Sequence, residues 1–272
     1  MGICNGYGFK PSNTPSIPSD DNTDKKTTLS PIQDNTRSSN EYLADVDNST
    51  NNQIECDKII TQNIVFTSDL DCVTDGMIAG ADGITINLNG FTLSGPGEES
   101  SKVGIMFADN NKVTIQGPGT IKNFQAGALL SGGEHNHLSQ VTFTDNEIAV
   151  FETNSTKALI EDNLMLGNSI GIASHSSSGS KMSKNTVNDN ELSGMTFVNS
   201  RDNIISENII QRSINGVFLD GQSTNNEVSG NTVRENQGID LNNGNGLPID
   251  INKNKFTDNI CNTSNPDGLC VQ

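Results

Sequence analysis

The sequence predicts an all-β solenoid, in which the chain winds into a stack of parallel strands and each winding forms one rung. The first support is a repeat, since asparagine returns with gaps of 22 or 23 residues at Asn163, Asn185, Asn208, Asn231 and Asn254. The second support is a column of small residues with the same gaps, at Gly104, Gly127, Ala149, Gly171, Gly194, Gly216 and Gly238. A period of this length is typical of repeat architectures, which stack one small unit on the next.

Alternation of apolar and other residues after each small residue is the third support. The first residue after it is mostly apolar, namely Ile105, Ala128, Val150, Ile172, Met195, Val217 and Ile239. The third follows the same rule, namely Phe107, Leu130, Glu152, Ser174, Phe197, Leu219 and Leu241. Period two indicates a strand, so we expect both columns to point inward.

A second strand is expected around each Asn, because apolar residues lie three before it and two after it, as Ile160 and Met165 do around Asn163. Two short strands per period leave no room for a helix of ten residues. The Leu-x-x-Leu-x-Leu frame of leucine-rich repeats is also missing, so a parallel β-coil fits best. The Asn columns are then expected to be structural ladders at the corners, each amide bonding the rungs above and below.

Three parts of the chain differ in composition. Residues 1–53 are rich in Ser, Thr, Asn, Asp and Pro without apolar periodicity, which predicts a disordered tail or linker. The solenoid is expected over residues 54–272. Within it, residues 54–82 are expected to form an N-terminal cap and residues 247–272 a C-terminal cap, because an open end of a solenoid exposes an edge and its core.

The overall charge narrows the classes of partner. The formal net charge is −17 in a chain of 272 residues, and 32% of the residues are hydrophobic. A nucleic acid is therefore not an expected partner, because binding to phosphates needs basic patches. No stretch approaches the roughly 20 apolar residues of a membrane span, so no transmembrane segment is expected.

Four of the five cysteines lie in two short-range pairs at the ends of the repeat region. Cys56 and Cys72 are 16 residues apart, and Cys261 and Cys270 are nine apart. As end clamps they predict two disulfides and an oxidising compartment, so an extracellular or cell-surface location. Residues 1–20 contain no apolar signal region, so a leader is expected to have been removed before this numbering begins. Cys4 is left over, as a lipid-modified residue, a free thiol or an intermolecular link.

Several of these features together resemble a known group of proteins. The segment Gly83 to Gly95, the opening from Cys56 to Cys72 and the Asn-x-Ile…Gly-Ile-x-Leu rungs are similar to the right-handed parallel β-helix repeat proteins of the NosD-like and pectate-lyase-like superfamily. The resemblance covers residues 54–260. It implies a single-stranded right-handed parallel β-helix with about 22–23 residues per rung. It implies little about activity, because the superfamily includes polysaccharide lyases, glycoside hydrolases, epimerases, tailspikes and adhesins.

An apolar stripe is predicted on the outer face of the Gly strand. Its members are the second residues after each small one, namely Met106, Leu129, Phe151, Ala173, Thr196, Phe218 and Asp240. Apolar surface of this kind tends to be covered or used. Either a loop or the N-terminal tail lies over it, or the stripe of Met106, Leu129, Phe151 and Phe218 is a ligand face or a homo-oligomer interface.

Candidate catalytic residues come from the polar outward positions. His175, Asp220 and Asn242 occupy the fourth position, and Asp240 is expected beside them. An inverting glycosidase needs two carboxylates roughly 6.5–9.5 Å apart, which Asp220 and Asp240 on neighbouring rungs could satisfy. A lyase would need a base and a cation on the uronate, with Ca²⁺ as the cofactor. A merely solvated polar face is the alternative.

Glu152 breaks the inward column. A buried carboxylate is costly unless it is bonded or protonated. We therefore expect a β-bulge that turns Phe151 inward and Glu152 outward. Outside, Glu152 would join His175 as a candidate acid or base.

The pair His135 and His137 is the one His-x-His motif, and such a pair can hold copper or zinc. Two ligands without a Cys or Met cluster make a weak site, so no resident metal or cofactor is expected. The sequence favours a secreted or surface-attached β-helix presenting a binding face for glycans or partner proteins. The alternative is a carbohydrate-active enzyme, a lyase or hydrolase, that uses the acidic residues of one outward face.

Overall fold

The computed structural model describes residues 54–247, 249–251 and 253–271. The predictions for the tail of residues 1–53 and for Cys4 lie outside the described residues. Within them the chain is a β-solenoid of about nine windings, built from three parallel sheets. Each strand pairs with the strand one rung before it and the strand one rung after it, so the predicted all-β parallel coil is confirmed.

The strands divide among the sheets as follows. The first sheet contains Lys58–Ile60, Met77–Ala79, Val103–Ala108, Ala126–Ser131, Ile148–Thr153, Ile170–His175, Ser193–Val198, Asn215–Leu219, Leu241–Asn243 and Ser264–Asn265. The second contains Ile64–Val65, Thr85–Asn87, Thr114–Gln116, His137–Ser139, Leu159–Glu161, Lys181–Ser183, Ile204–Ser206, Glu227–Ser229 and Lys255–Thr257. The third contains Leu70–Asp71, Thr92–Ser94, Thr120–Lys122, Thr142–Thr144, Leu164–Leu166, Thr186–Asn188, Ile209–Gln211, Thr232–Arg234 and Ile260–Cys261. Two 3₁₀ helices, Glu98–Ser100 and Ile249–Ile251, lie between strands.

Three strands per rung replace the two that the sequence predicted. Where the sequence predicted one strand around each Asn, the structure has two. In the rung of Asn163 the chain bends between these two strands, so that Ile160 lies in the second sheet and Met165 in the third. The bend comes from Asp162, whose φ of 54° is left-handed. Asp tolerates this conformation because its side chain can bond locally. Both apolar residues still point inward and are fully buried.

Asparagine ladders occupy the corner between the second and third sheets. The Asn163 N–H and Nδ2 both donate to Asn185 Oδ1 over 3.1 Å, and Nδ2 also donates to the Leu138 carbonyl. The same contacts continue from Asn185 to Asn208 and from Asn208 to Asn231. These bonds pair the corner backbone with buried side chains, which would otherwise be costly to bury.

The predicted fifth member of this ladder was wrong. Asn231 donates to Asn259, whereas Asn254 accepts from Asn226 in a separate ladder at the corner between the first and second sheets. The cause is the length of the last full rung. It spans 28 residues between Asn231 and Asn259 instead of 23. Extending the period by counting therefore assigned Asn254 to the wrong corner.

The two predicted disulfides are confirmed. Cys56 is bonded to Cys72 in the first rung, with a Cα–Cα distance of 5.7 Å. Cys261 is bonded to Cys270 at the other end, at 5.3 Å. Cys72 belongs to the hydrophobic core, and Cys56 and Cys261 pack against it. They therefore tie down the two ends at which a solenoid lacks a neighbouring rung.

Candidate functional site

Asp240 is a corner residue, and its expected outward position was wrong. It is 1% exposed and accepts hydrogen bonds from Asn236 Nδ2 over 2.8 Å and from the backbone N–H of Asn262 over 2.9 Å. The reason is a shift of two residues in register, because Val217 pairs with Leu241. Asn242 then takes the outward position that was assigned to Asp240. A carboxylate held in this way stabilises the corner and is closed to substrate.

Asp220 also supports a turn. Its Oδ1 accepts from the Ser223 N–H over 2.8 Å, from Ser223 Oγ over 2.7 Å and from the Asn199 N–H over 3.0 Å. Asp220 and Asp240 lie at opposite ends of neighbouring strands, four residues apart along the strand direction. At roughly 3.3 Å per residue this separates them by about 13 Å. That distance exceeds the range for an inverting pair of carboxylates.

Glu152 lies inside the core, and the predicted bulge was wrong. The strand Ile148–Thr153 pairs in continuous register on both sides, so Glu152 lies between Leu130 and Ser174 and is 0% exposed. Ser174 Oγ donates to its carboxylate over 3.0 Å, and Ser180 Oγ donates to the other oxygen. Two hydroxyl partners inside the coil let the carboxyl stay there without a bulge. Burial nevertheless dominates and raises the pKa of Glu152 to about 7.

His175 is exposed at the end of the strand Ile170–His175, beside Thr153 and Val198 of the adjacent rungs. The structure therefore does not bring the four catalytic candidates together. Glu152 lies in the core, Asp220 and Asp240 lie at different corners, and His175 lies on the outer face. These four residues therefore do not form an acid–base pair.

The two remaining histidines flank a buried residue. Asn136, between them, is fully buried, and its Oδ1 accepts from the Val113 N–H over 3.0 Å. His137 Nε2 lies 3.1 Å from Glu161 Oε1, whereas His135 Nδ1 lies 3.6 Å from its neighbour Glu134. No group of three His, Cys, Asp or Glu side chains suited to a metal ion occurs among the residues that the structure describes.

The outer face of the first sheet carries the predicted apolar stripe in one register. Consecutive strands align these residues, from one end of the coil to the other, as Ile59, Ile78, Met106, Leu129, Phe151, Ala173, Thr196, Phe218 and Asn242. Met106, Phe151 and Phe218 are half-buried. Leu129 is buried, so the stripe is in register but is not continuous open surface. Asn242 takes the position that had been assigned to Asp240.

A polar groove of about 180 Å³ runs along the corner between the first and second sheets. Its walls come from three successive rungs and consist of Ser176, Ser177, Ser178, Asn199, Arg201, Gln222 and Thr224. Parallel bridges join Ser178 to Arg201 and Arg201 to Thr224, so these residues are stacked like strand residues. The Arg201 side chain is 69% exposed, and its Nε lies 3.6 Å from Asp202 Oδ2, whose side chain is 52% exposed.

Sequence reasoning missed this groove, because its residues lie in polar segments that look like ordinary loops. The available signal was the period, since Thr156, Ser178, Arg201 and Thr224 follow one another at 22, 23 and 23 residues. A second groove, of about 300 Å³, lies at the corner between the third and first sheets and is acidic, with Glu98, Asp145 and Glu191 in its walls. Arg212, near that corner, is bound by both oxygens of Asp189, which lowers the pKa of Asp189.

The sequence profile of the family described as the right handed beta helix region matches residues 77–259, about two thirds of the chain. The chain belongs to this family. A right-handed β-helix is therefore shown, as the sequence resemblance implied.

Several solved structures are similar to this chain at low sequence identity. The periplasmic alginate epimerase AlgG is 14% identical over 75% of this chain and 54% of its own, with a TM-score of 0.44. The Dettilon tailspike protein is 17% identical over 76% and 54%, with a TM-score of 0.42. The polygalacturonase from Erwinia carotovora ssp. carotovora is 10% identical over 75% and 85%, with a TM-score of 0.45.

With TM-scores below 0.5, these likenesses carry no conclusion about this chain. The β-helix spans about half the length of the epimerase and of the tailspike. A comparison with curated proteins gave no match. The helices found in the described part of the chain are two single 3₁₀ turns, and none is long and apolar enough to cross a bilayer.

Proposed function

We propose that this protein is an extracellular β-helix that binds glycan chains, without cleaving them, in the polar groove along Ser178, Arg201 and Thr224. One observation carries the proposal: hydrogen-bonding side chains repeat in this groove on three successive rungs. Equivalent positions are about 4.8 Å apart along the coil, so a polymer with repeated hydroxyl groups meets repeated donors and acceptors. The two disulfides support an oxidising compartment.

The chemistry of the groove favours glycans that carry carboxylates. Arg201 supplies a planar guanidinium, which binds a carboxylate with two parallel hydrogen bonds. Its pair with Asp202 is solvent-exposed and long, so replacing Asp202 by a ligand costs little. Ser176, Asn199 and Gln222 add neutral groups that can bond hydroxyls.

The same geometry disfavours the catalytic alternative. A lyase or hydrolase needs an acid and a base that both reach one sugar. Asp240 and Glu152 are buried, and Asp220 Oδ1 accepts four hydrogen bonds, three of them from Gln222 and Ser223 in the adjoining turn. His175 is then the one exposed member of the set of candidates.

The test is titration calorimetry against a panel of neutral and uronate-containing polysaccharides. We expect binding to the uronate-containing members, weakening as salt is added because an exposed charge pair is screened. Arg201→Ala should weaken binding roughly tenfold, about 1.4 kcal/mol. Arg234→Ala is the matched control, because Arg234 is an exposed arginine on the third sheet. Equal losses in both variants, or no binding to any member, would contradict the proposal.

The same panel separates binding from catalysis. Products are measured as new reducing ends and as the absorbance of unsaturated uronates. We expect neither signal. Turnover of any polysaccharide, lost in Asp220→Ala while the variant still folds, would replace the binding function by the enzymatic one.

A further inference from the structure

A row of basic side chains continues from the polar groove toward the N-terminal end of the coil. At the corner between the first and second sheets, four equivalent backbone N–H groups each donate to a carbonyl of the next rung, at Lys112, His135, Lys157 and Gly179. These four residues are therefore stacked on successive rungs. The first three are exposed and form the basic row. Gly179 follows Ser178, which lines the groove.

The charge of this corner differs from that of the whole chain, which carries 33 acidic and 16 basic residues. The corner segments 154–158 and 176–180, on two successive rungs, contain no acidic residue. Lys157 lies in the first of them, and Lys181 begins the strand that follows the second. Arg201 lies on the next rung, so three exposed cations flank the serines of the groove. Such a local excess of positive charge attracts anionic ligands.

Lys157 connects the basic row with the groove. Gly179 has no side chain, and a Cβ placed on it would lie 3.4 Å from Cγ of Lys157. The stem of Lys157 therefore passes beside Gly179, and no side chain at that position separates it from the groove. Lys157 Nζ lies 3.9 Å from Glu134 Oε2, and both side chains are exposed to solvent. A pair this long and this exposed contributes little, so a carboxylate of a ligand can replace Glu134.

Acidic residues lie at both ends of this surface. At the N-terminal end, hydrogen bonds from Asn111 lower the pKa of Asp82, and the charge of Lys112 adds to the effect. At the other end, Asp202 lies next to Arg201. Lys112 and Arg201 are four rungs apart, and four strand spacings amount to about 19 Å. The surface therefore suits an anionic chain that lies along the coil axis over this length.

We propose that the glycan-binding site extends along the basic row and takes a polyuronate, an acidic glycan with a carboxylate on every sugar, running parallel to the coil axis from Arg201 to Lys112. This inference rests on the proposed binding function of the groove. Arg201, Lys157 and Lys112 pair with carboxylates of one chain, while Ser176 and Asn199 bond its hydroxyls. A glycan with a single isolated uronate pairs with Arg201 alone and leaves the basic row unused.

Titration calorimetry with oligouronates of defined length tests the extended site. At roughly one sugar per rung, an oligomer of about three sugars spans the groove, and one of about six also spans the basic row. We expect the longer oligomer to bind roughly tenfold more tightly, because it forms additional charge pairs. Lys112→Ala should weaken binding of the longer oligomer roughly threefold and leave binding of the shorter one unchanged. Lys184→Ala, a change at an exposed lysine between the second and third sheets, is the matched control and should leave both unchanged.

Glu134 provides a test in the opposite direction. Its carboxylate lies next to His135 and Lys157, where it repels an anionic chain on the basic row. Glu134→Gln should therefore tighten binding of the longer oligomer roughly threefold, a gain that a loss of folding cannot imitate. Glu191→Gln, in the acidic groove between the third and first sheets, is the control and should have no effect.

Failure of the extended site is distinguishable from failure of the groove. Equal affinities for the short and long oligomers, with no effect of Lys112→Ala or Glu134→Gln, overturn the extended site and leave the binding function of the groove intact. Binding of neither oligomer overturns the binding function itself. A polyglutamate of equal charge should bind more weakly than the longer oligomer, since it lacks hydroxyls for Ser176 and Asn199. Equal binding of the polyglutamate would overturn the polyuronate as the ligand and assign the surface to acidic peptides.

Discussion

The Glu152 carboxyl group lies in the core, and none of the ion pairs formed by the described residues includes it. Burial raises its pKa from 4.5 to about 7, while hydrogen bonds from Ser180 and Ser174 oppose the rise. The folded protein therefore keeps a proton that the unfolded chain releases between pH 4.5 and 7. It follows that the free energy of unfolding decreases as the pH rises through this window.

At the residue scale, we predict that Glu152→Gln removes this pH dependence. A shift of this size corresponds to about 3 kcal/mol, fully present below pH 4.5 and lost above pH 7. Relative to the wild type, the variant should therefore gain stability between pH 5 and pH 8. Urea unfolding at the two pH values measures the difference. The control is Glu99→Gln, a change at an exposed residue of the 3₁₀ helix Glu98–Ser100, which should show no such gain. The account would be contradicted if the free energy of unfolding differed between wild type and Glu152→Gln by the same amount at both pH values.

At the scale of structural elements, the Asn ladder between the third and first sheets has one interruption. Asn146 donates to Asn168 Oδ1, and Asn168 donates to Asn190 Oδ1. The next rung has Ser213, whose buried Oγ has no hydrogen-bond partner. Asn190 Nδ2 is left with a long contact, 3.5 Å, to the Met165 carbonyl.

We predict that Ser213→Asn completes this ladder and stabilises the protein. Its Oδ1 would accept from Asn190 Nδ2, and its Nδ2 could donate to Asn236 Oδ1, which already accepts from the backbone N–H of residue 213. A net gain of about 1 kcal/mol is expected, measured by urea unfolding. Asn208→Ser, which breaks the neighbouring ladder, should lose a similar amount or more. A destabilised Ser213→Asn would mean that the corner is too narrow for an amide.

At the scale of the whole molecule, stability is expected to be nearly one-dimensional, because each rung contacts mainly its neighbours. The ends then depend on local devices. At the C-terminal end, Cys261 of the Cys261–Cys270 bridge packs against the core, whose last buried apolar residues are Phe256 and Leu269. At the N-terminal end, Cys72 of the Cys56–Cys72 bridge belongs to the core and Cys56 packs against it.

Removal of one bridge should therefore loosen one end of the coil. In the double variant Cys261→Ser with Cys270→Ser, we expect faster hydrogen–deuterium exchange in residues 255–271, with residues 103–200 unchanged. Closing a loop of this length contributes about 2–3 kcal/mol, which sets the local loss. The double variant Cys56→Ser with Cys72→Ser is the matched control and should loosen residues 58–79 instead. Uniformly faster exchange along the chain would contradict the one-dimensional picture.

Much of the molecule could be predicted because identical rungs repeat identical requirements. The inward columns, the corner ladders through Asn163 and Asn208, and both disulfides follow from a period that places equivalent residues on top of one another. The candidate active site could not be predicted in the same way. Asn242 lies where Asp240 was expected and Asp240 lies at a corner, because one rung is two residues longer and counting cannot locate an insertion within a rung.

The sequence by itself determined the parallel coil, its inward apolar columns and the clamps at its ends, since these depend on periodicity and on pairing between near neighbours. The tertiary structure alone decided where three exceptions lie. Glu152 stays inside the coil because the Ser174 hydroxyl of the next rung donates a hydrogen bond to it. Asn254 lies at the corner between the first and second sheets. Arg201 lines a groove together with residues of the two neighbouring rungs. The physical reason is that contacts between rungs set the hydrogen-bond register and the surroundings of each side chain. The sequence period predicts those contacts only where successive rungs contain the same number of residues.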